Sequence, residues 1–198
     1  MRIKKHHLFD KELSYIKDDN KRKFCELCLD GLPEYFWSIP ASSTGKYHPS
    51  YTIGEGGLAR HVQGAMRIAI ELFRCESCFN LTEEDKDDIL IALSLHDGLK
   101  SGSEEDYAKS KYTKHNHPIL SAKYVQEMWK NNQDLITKED TIKIAKLIGS
   151  HMGSFNKNKY SDIVLPTPEN NIEKFVHLVD YLASRKCLEL NFESGLSY

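Results

Sequence analysis

The stretch TEEDKDDILIALSLHDGLK, residues 82–100, decides how the chain is read. Thr82 followed three residues later by Asp85 resembles a capping box, in which two side chains satisfy backbone N–H groups of a helix's first turn. Ile89, Leu90, Leu93 and His96 then share one helical face, and Gly98 stands where a C-terminal cap would. A helix is therefore expected, with the adjacent pair His96-Asp97 at its end. Neighbours on a helix point about 100° apart. Both can reach one site only at a helix end, or where two metal ions occupy it. A carboxylate has two oxygens and can bridge such ions, whereas an imidazole ligates one.

Helical periodicity continues on both sides. From Gly57 the positions Leu58, Val62, Ala65, Met66, Ala69, Leu72 and Phe73 recur at three and four residues, and His61 falls within that stripe. Pro118 suits a first helical turn, with Ile119, Ala122, Val125 and Met128 inward. Thr137 and Asp140 repeat the cap pattern before Ile144, Leu147, Ile148 and His151. Asn171 can cap a last helix carrying Phe175, Val176, Val179, Asp180 and Ala183. A helix over about residues 20–30 ends at Gly31-Leu32-Pro33, and 33–37 makes a further short turn. Strand signals are scarce. Two connections, 100–116 and 152–170, exceed the roughly 12 to 15 residues beyond which loops tend to be lids or binding loops. The expected fold is all-α, a single helical bundle whose long polar loops converge near one end. Residues 1–39 are expected as an N-terminal helical extension packed on the core, 40–190 as the main domain and 191–198 as a tail.

The composition excludes several classes. With 198 residues, 40% of them hydrophobic, the chain can bury a full core in one domain. Its longest strongly apolar run, 89–95, falls far below the roughly 20 residues of a membrane span. The opening MRIKKHHLFDKELSYIKDD is basic but lacks an apolar region and a cleavage site, so no signal peptide is expected and the cytoplasm is the expected compartment. A net charge of −2, from 27 Lys+Arg against 29 Asp+Glu, argues against a protein that coats long duplex nucleic acid. The basic lean of the first 23 residues reads as a solvated helix face. Ser42-Ser43-Thr44-Gly45-Lys46 lacks the spacing of a phosphate-binding loop.

Cys25 and Cys28, with Cys75 and Cys78, make two C-x-x-C pairs and raise the alternative of a four-thiolate zinc site. Helical i,i+3 cysteines such as Cys25 and Cys28 are more often core residues. Cys187 leaves an odd total, which argues against a disulfide framework and fits a reducing compartment.

Histidine supplies the sharper signal. His61, His96 with Asp97, His117, His151 and Asp180 each sit at an end or on the apolar face of an expected helix, where a bare titratable group is unfavourable unless paired. Five helices thus contribute to one candidate metal site, as facing helices of a bundle do. His115 competes with His117, and the following proline favours His117. His6, His7 and His177 lack a comparable setting, although His177 could support the site from behind.

The order His61, His96-Asp97, Asp180 resembles the H…HD…D signature of the HD-domain superfamily of metal-dependent phosphohydrolases, over about residues 40–185. Tyr47-His48-Pro49 followed by Gly56-Gly57-Leu58-Ala59-Arg60-His61 is closest in style to the HD domain of YhaM-like 3′-to-5′ exoribonucleases. His96-Asp97-Gly98-Leu99-Lys100 is similar to the HD-x-x-K form, with Gly98 departing from the usual apolar residue. The resemblance implies that His61, His96, Asp97 and Asp180 hold one metal and that His117 and His151, with Asp97 bridging, hold a second. One or two divalent ions are implied, from Mn, Fe, Co, Ni, Zn or Mg, because the donors are nitrogen and oxygen without thiolate. A divalent ion lowers the pKa of bound water, and hydroxide attack on phosphorus follows. Asp97 and Lys100 are the expected catalytic residues; Lys100, His48, Arg60 and Arg185 are candidates for substrate contact.

The expected function is hydrolysis of a phosphate ester of a nucleotide or related small molecule. The near-neutral charge and the lack of an evident nucleic-acid-binding domain favour a small phosphorylated substrate, without a membrane partner. The alternatives are a nuclease or cyclic-nucleotide phosphodiesterase using the same metals, and a non-catalytic HD module that binds a nucleotide or regulates a partner. In every case the loops 100–116 and 152–170 are expected to set specificity.

Overall fold

The structure, a computed structural model, describes residues 4–42 and 44–188, apart from the side chain of Glu76. The described residues carry helices α1 (Asp10–Leu13), α2 (Asp19–Asp30), α3 (Gly57–Phe73), α4 (Glu76–Phe79), α5 (Glu83–Leu95), α6 (Glu104–Lys109), α7 (His117–Lys130), α8 (Lys138–Ser150) and α9 (Asn171–Ala183), with short 3₁₀ turns between them and no strand. The all-α expectation holds. No helix among these residues is long and apolar enough to cross a membrane. The tail expected at 191–198 lies outside the described residues.

Helix α5 starts as its sequence dictates, since Thr82 accepts from the Asp85 N–H while the Asp85 side chain accepts from the Thr82 N–H. The expected inner face of Ile89, Leu90, Leu93 and His96 is buried, and no residue of the helix's second half turns to solvent. Every residue of 89–95 is buried because α2, α3, α8 and α9 all pack against it. Apolar residues all round mark a helix enclosed on every side. Gly98 is not a left-handed cap. Backbone turns continue past α5, with the Gly98 N–H bonded to the Leu95 carbonyl. A Cβ at Gly98 would lie 2.7 Å from Leu32 Cδ2, so close packing is what the glycine provides.

Other boundaries shift for local reasons. Asn170, one residue before the expected Asn171, caps α9 by accepting from the N–H groups of Ile172 and Glu173. The expected loop 100–116 contains α6, whose first turn is set by a capping box between Ser103 and Asp106. Helix α3 needs both glycines before it. Gly56 adopts φ 70°, a conformation that glycine reaches without penalty. A Cβ on Gly57 would fall 2.0 Å from the Thr52 carbonyl oxygen. The pair thus sets the entry of α3 and, four residues on, the position of His61.

Away from the helix end that carries His96, α5 is held by charge. Buried Asp87 accepts from the N–H groups of Lys17 and Asp18, at 2.8 and 2.9 Å, which fixes the chain entering α2. Asp88, fully buried, lies 2.8 Å from both Lys21 Nζ of α2 and Lys143 Nζ of α8. Burial alone would lower the Lys21 pKa, yet Asp88 and Asp140 outweigh it and raise it. Removing one partner from such a network leaves buried charge uncompensated, at about 3 to 5 kcal/mol. Asp88→Ala is therefore expected to lower unfolding free energy by about that amount in urea titration; a loss under about 1 kcal/mol would show that the network does not anchor α5.

Candidate metal centre

Five helices bring their histidines and aspartates to one end of the bundle. His61 is on the first turns of α3, His96 and His151 are the C-caps of α5 and α8, His117 opens α7, and Asp180 lies near the end of α9. All four histidines and Asp97 are buried. Helix C-termini carry partial negative charge, so the ends of α5 and α8 favour a cation there.

A repeated hydrogen bond decides which ring nitrogen faces the cluster. In His96, His117 and His151 the Nδ1–H donates to the carbonyl three residues back, Leu93, Lys114 and Ile148, at 2.7, 2.8 and 2.8 Å. Each Nε2 is left as a bare lone pair, the form that binds metal. These lone pairs then crowd together. His117 Nε2 lies 3.3 Å from His151 Nε2 and 3.0 Å from Asp97 Oδ1. Buried His96 Nε2 and His61 Nδ1 have no hydrogen-bond partner among the described residues. Electron-rich atoms at such distances repel unless a cation lies between them, so the donor set fits a metal.

Asp97 divides the cluster. Its Oδ1 faces His117 and His151, at 3.0 and 4.0 Å, while its Oδ2 faces His61 and His96, at 3.8 and 3.7 Å. Asp180 Oδ1 joins the second set, 3.0 Å from His61 Nε2 and 3.3 Å from His96 Nε2. Three overlapping groups could each hold an ion, namely His61, His96 and Asp97; His96, His151 and Asp180; and Asp97, His117 and His151.

Electrostatics follow the same division. Burial would raise the Asp97 pKa, but Lys100, His96 and His117 outweigh it and hold the carboxyl well below the usual range. Asp180 is likewise held low against its burial, by its hydrogen bond with His61 first and by the charge of His96 and His61. His96 is raised, because Asp97 and Asp180 overcome the lowering effect of burial. His151 is pushed down to about 3, by burial first and by His96 next, so it is neutral and ready to ligate.

A cavity of about 250 Å³ opens onto the cluster, and Lys100, His48 and Arg185 line it with the ligand candidates. The Lys100 ammonium pairs directly with Asp97 Oδ2. Burial pushes His48 down to about 4, helped by the charge of His61 and Lys100. Arg60 is a correction: it does not line the cavity, and its guanidinium donates to the carbonyls of Tyr51, Ile53 and Glu55. It braces the turn before α3. His115 is exposed, and its Nε2 lies 3.0 Å from the Ile163 carbonyl, joining the loops 100–116 and 152–170. None of the candidate metal groups among the described residues includes a cysteine. Cys25 and Cys28 are buried, with Cys25 Sγ 3.1 Å from Ser94 Oγ, while Cys75 and Cys78 are exposed.

A family model described as the HD domain matches residues 58–185, well over half the chain. The chain belongs to the HD-domain family. Members are generally metal-dependent hydrolases and bind divalent metals. No curated protein and no solved structure gives a significant match, so the likeness to exoribonuclease HD domains rests on the motif alone.

Further residues gather at this candidate site, His177 from behind as the sequence allowed and others that the sequence did not single out. His177 Nδ1–H donates to the His151 carbonyl at 2.7 Å, and Gly153 leaves room for its ring, since a Cβ there would fall 2.3 Å away. Thr113, Met152, Phe155, Tyr181 and Ser184 also line the cavity. Adjacency to Asp180 was the one sequence signal available for Tyr181. An ion bound only by the folded protein stabilises it by about 2.7 kcal/mol at a hundred times its Kd. Added Mn(II) is expected to raise Tm and His117→Ala to shrink that rise; an unchanged Tm at saturating metal would count against the site.

Proposed function

We propose that this chain is a phosphohydrolase that cleaves the phosphate ester of a nucleotide or related small molecule, with His61, His96, Asp97 and Asp180 holding one divalent ion and His117 and His151 a second across Asp97. The observation that carries this reading is the division of the Asp97 carboxylate, one oxygen toward each histidine set. Divalent ions bound there supply a water of lowered pKa and an electrostatic sink for charge on the phosphoryl group. The remaining work falls to side chains on the cavity wall. Lys100 holds positive charge beside Asp97, where phosphoryl oxygens would lie, and Arg185 offers a second cation. His48, neutral near pH 7, can donate a hydrogen bond to a phosphoryl oxygen without adding charge. Overall, ester and water give alcohol and phosphate.

The limited cavity supports a small ester over a polymer. A panel of nucleoside mono-, di- and triphosphates, cyclic nucleotides and short RNA, assayed with Mn, Co or Ni, separates the readings. Monoester hydrolysis is expected; turnover confined to RNA or cyclic nucleotides would move the reaction to a diester. Tight nucleotide binding with every substrate left intact would identify a binding module. Asp97→Ala is expected to abolish both metal retention and turnover. Replacing Lys100 by Met removes a charge-assisted hydrogen bond worth about 1.5 to 3 kcal/mol, hence a loss of roughly ten-fold or more in kcat/KM.

The pH dependence has a definite sign. A metal takes neutral imidazole, and the raised pKa of His96 means that protons compete as pH falls, whereas His151, at about 3, stays neutral. Calorimetric titration with Mn(II) should therefore show affinity declining from pH 8 to pH 5. A flat profile would show that His96 is not a ligand.

A further inference from the structure

The cavity mouth carries aromatic surface that the metal cluster does not use. Phe155 and Tyr181 on the cavity wall, and Tyr47 beside Arg185 of that wall, are large aromatic side chains that stay 55%, 38% and 56% exposed. Phe155 and Tyr181 line that cavity, and their rings are nearly parallel, 9° apart in orientation with centroids 6.5 Å apart. They come from different elements, Phe155 from the 3₁₀ turn after α8 and Tyr181 from α9. Arg185 extends the array. Its Cζ stands 4.4 Å from the Tyr181 ring centroid and 5.6 Å from that of Tyr47.

The array is held from the backbone. Arg185 Nη2–H donates to Ser184 Oγ at 2.8 Å, and Ser184 Oγ–H donates in turn to the Tyr181 carbonyl. The Lys186 N–H donates to the Tyr47 carbonyl at 2.7 Å. Arg185 makes no ion pair among the described residues, so guanidinium N–H groups stay available beside the rings. Tyr181 directly follows Asp180, and Phe155 lies four residues beyond His151. The aromatic rim therefore begins where the metal cluster ends.

We infer that Phe155, Tyr181, Arg185 and Tyr47 form a subsite for a nucleobase, whose attached phosphate reaches the metal cluster. Exposed rings stack on any base, because every base has a flat π face, and a cation beside them adds attraction and hydrogen-bond donors. A sugar phosphate without a base offers these rings nothing flat to cover. The inference rests on the phosphohydrolase reading for the placement of the phosphate, and it assigns the base its own contacts.

The test compares adenosine 5′-monophosphate with ribose 5-phosphate, by calorimetry on the full chain loaded with Mn(II). The wild type is expected to bind the nucleotide roughly ten-fold or more tightly than the sugar phosphate, in line with stacking on aromatic side chains. Phe155→Leu and Tyr181→Leu should each shrink that ratio about five-fold or more, with metal content unchanged, and Phe155→Trp should preserve it. Equal binding of the two compounds by the wild type, no binding of either, or a ratio unmoved in both leucine variants would overturn the subsite. Hydrolysis followed in parallel keeps the two readings apart. Base-selective binding without turnover of any ester would sink the enzyme reading and leave the subsite standing; turnover without base selectivity does the reverse.

Discussion

Three hydrogen bonds from histidine Nδ1 to a carbonyl three residues earlier govern this site. Each brings a side-chain donor to a carbonyl at a helix end or turn, and at Lys114 and Ile148 it shares that carbonyl with the histidine's own backbone N–H. In doing so they fix the tautomer, so that His96, His117 and His151 each turn an unprotonated Nε2 inward. Neutral imidazoles free to choose could have relieved the crowding by exchanging protons with one another. Anchored from behind, they present a concentration of lone pairs that only a cation, whether a proton or a metal, can settle. The raised pKa of His96 and the depressed pKa values of Asp97 and Asp180 express that same demand.

The bundle serves this geometry through α5. At one end Asp87 and Asp88 tie the helix to α2 and α8, and at the other His96 and Asp97 leave its last turn. Enclosure on all sides fixes the helix rotation, and rotation decides which oxygen of Asp97 faces which histidines. Packing density converts into placement here, because a close-packed interior transmits small displacements.

The gathering of these histidines and aspartates at one end of the bundle was legible in the sequence because such residues are out of place on apolar helical faces. Periodicity identified the helix α5 and one buried face but not the burial of its remaining sides, because periodicity reports a boundary between core and solvent and α5 has none over 89–95. Arg60 misled for a different reason. It precedes His61 by one residue, and about 100° of helical rotation sends it to the carbonyls of 51–55. The carbonyl anchors could not be read, since any residue at Leu93, Lys114 or Ile148 supplies the same oxygen. Nor could the aromatic rim, whose members sit in three separate segments and follow no spacing.

Gly153 shows how far the constraint extends. With φ 54° and the His177 ring packed over it, the position has no space for a side chain. Any Cβ there would displace His177, which holds the carbonyl of His151, and the disturbance would arrive at a candidate ligand through two intermediates. Position 153 is thus closed to mutational drift even though it supplies no ligand atom, and a sequence survey of relatives should find it as restricted as the histidines it protects.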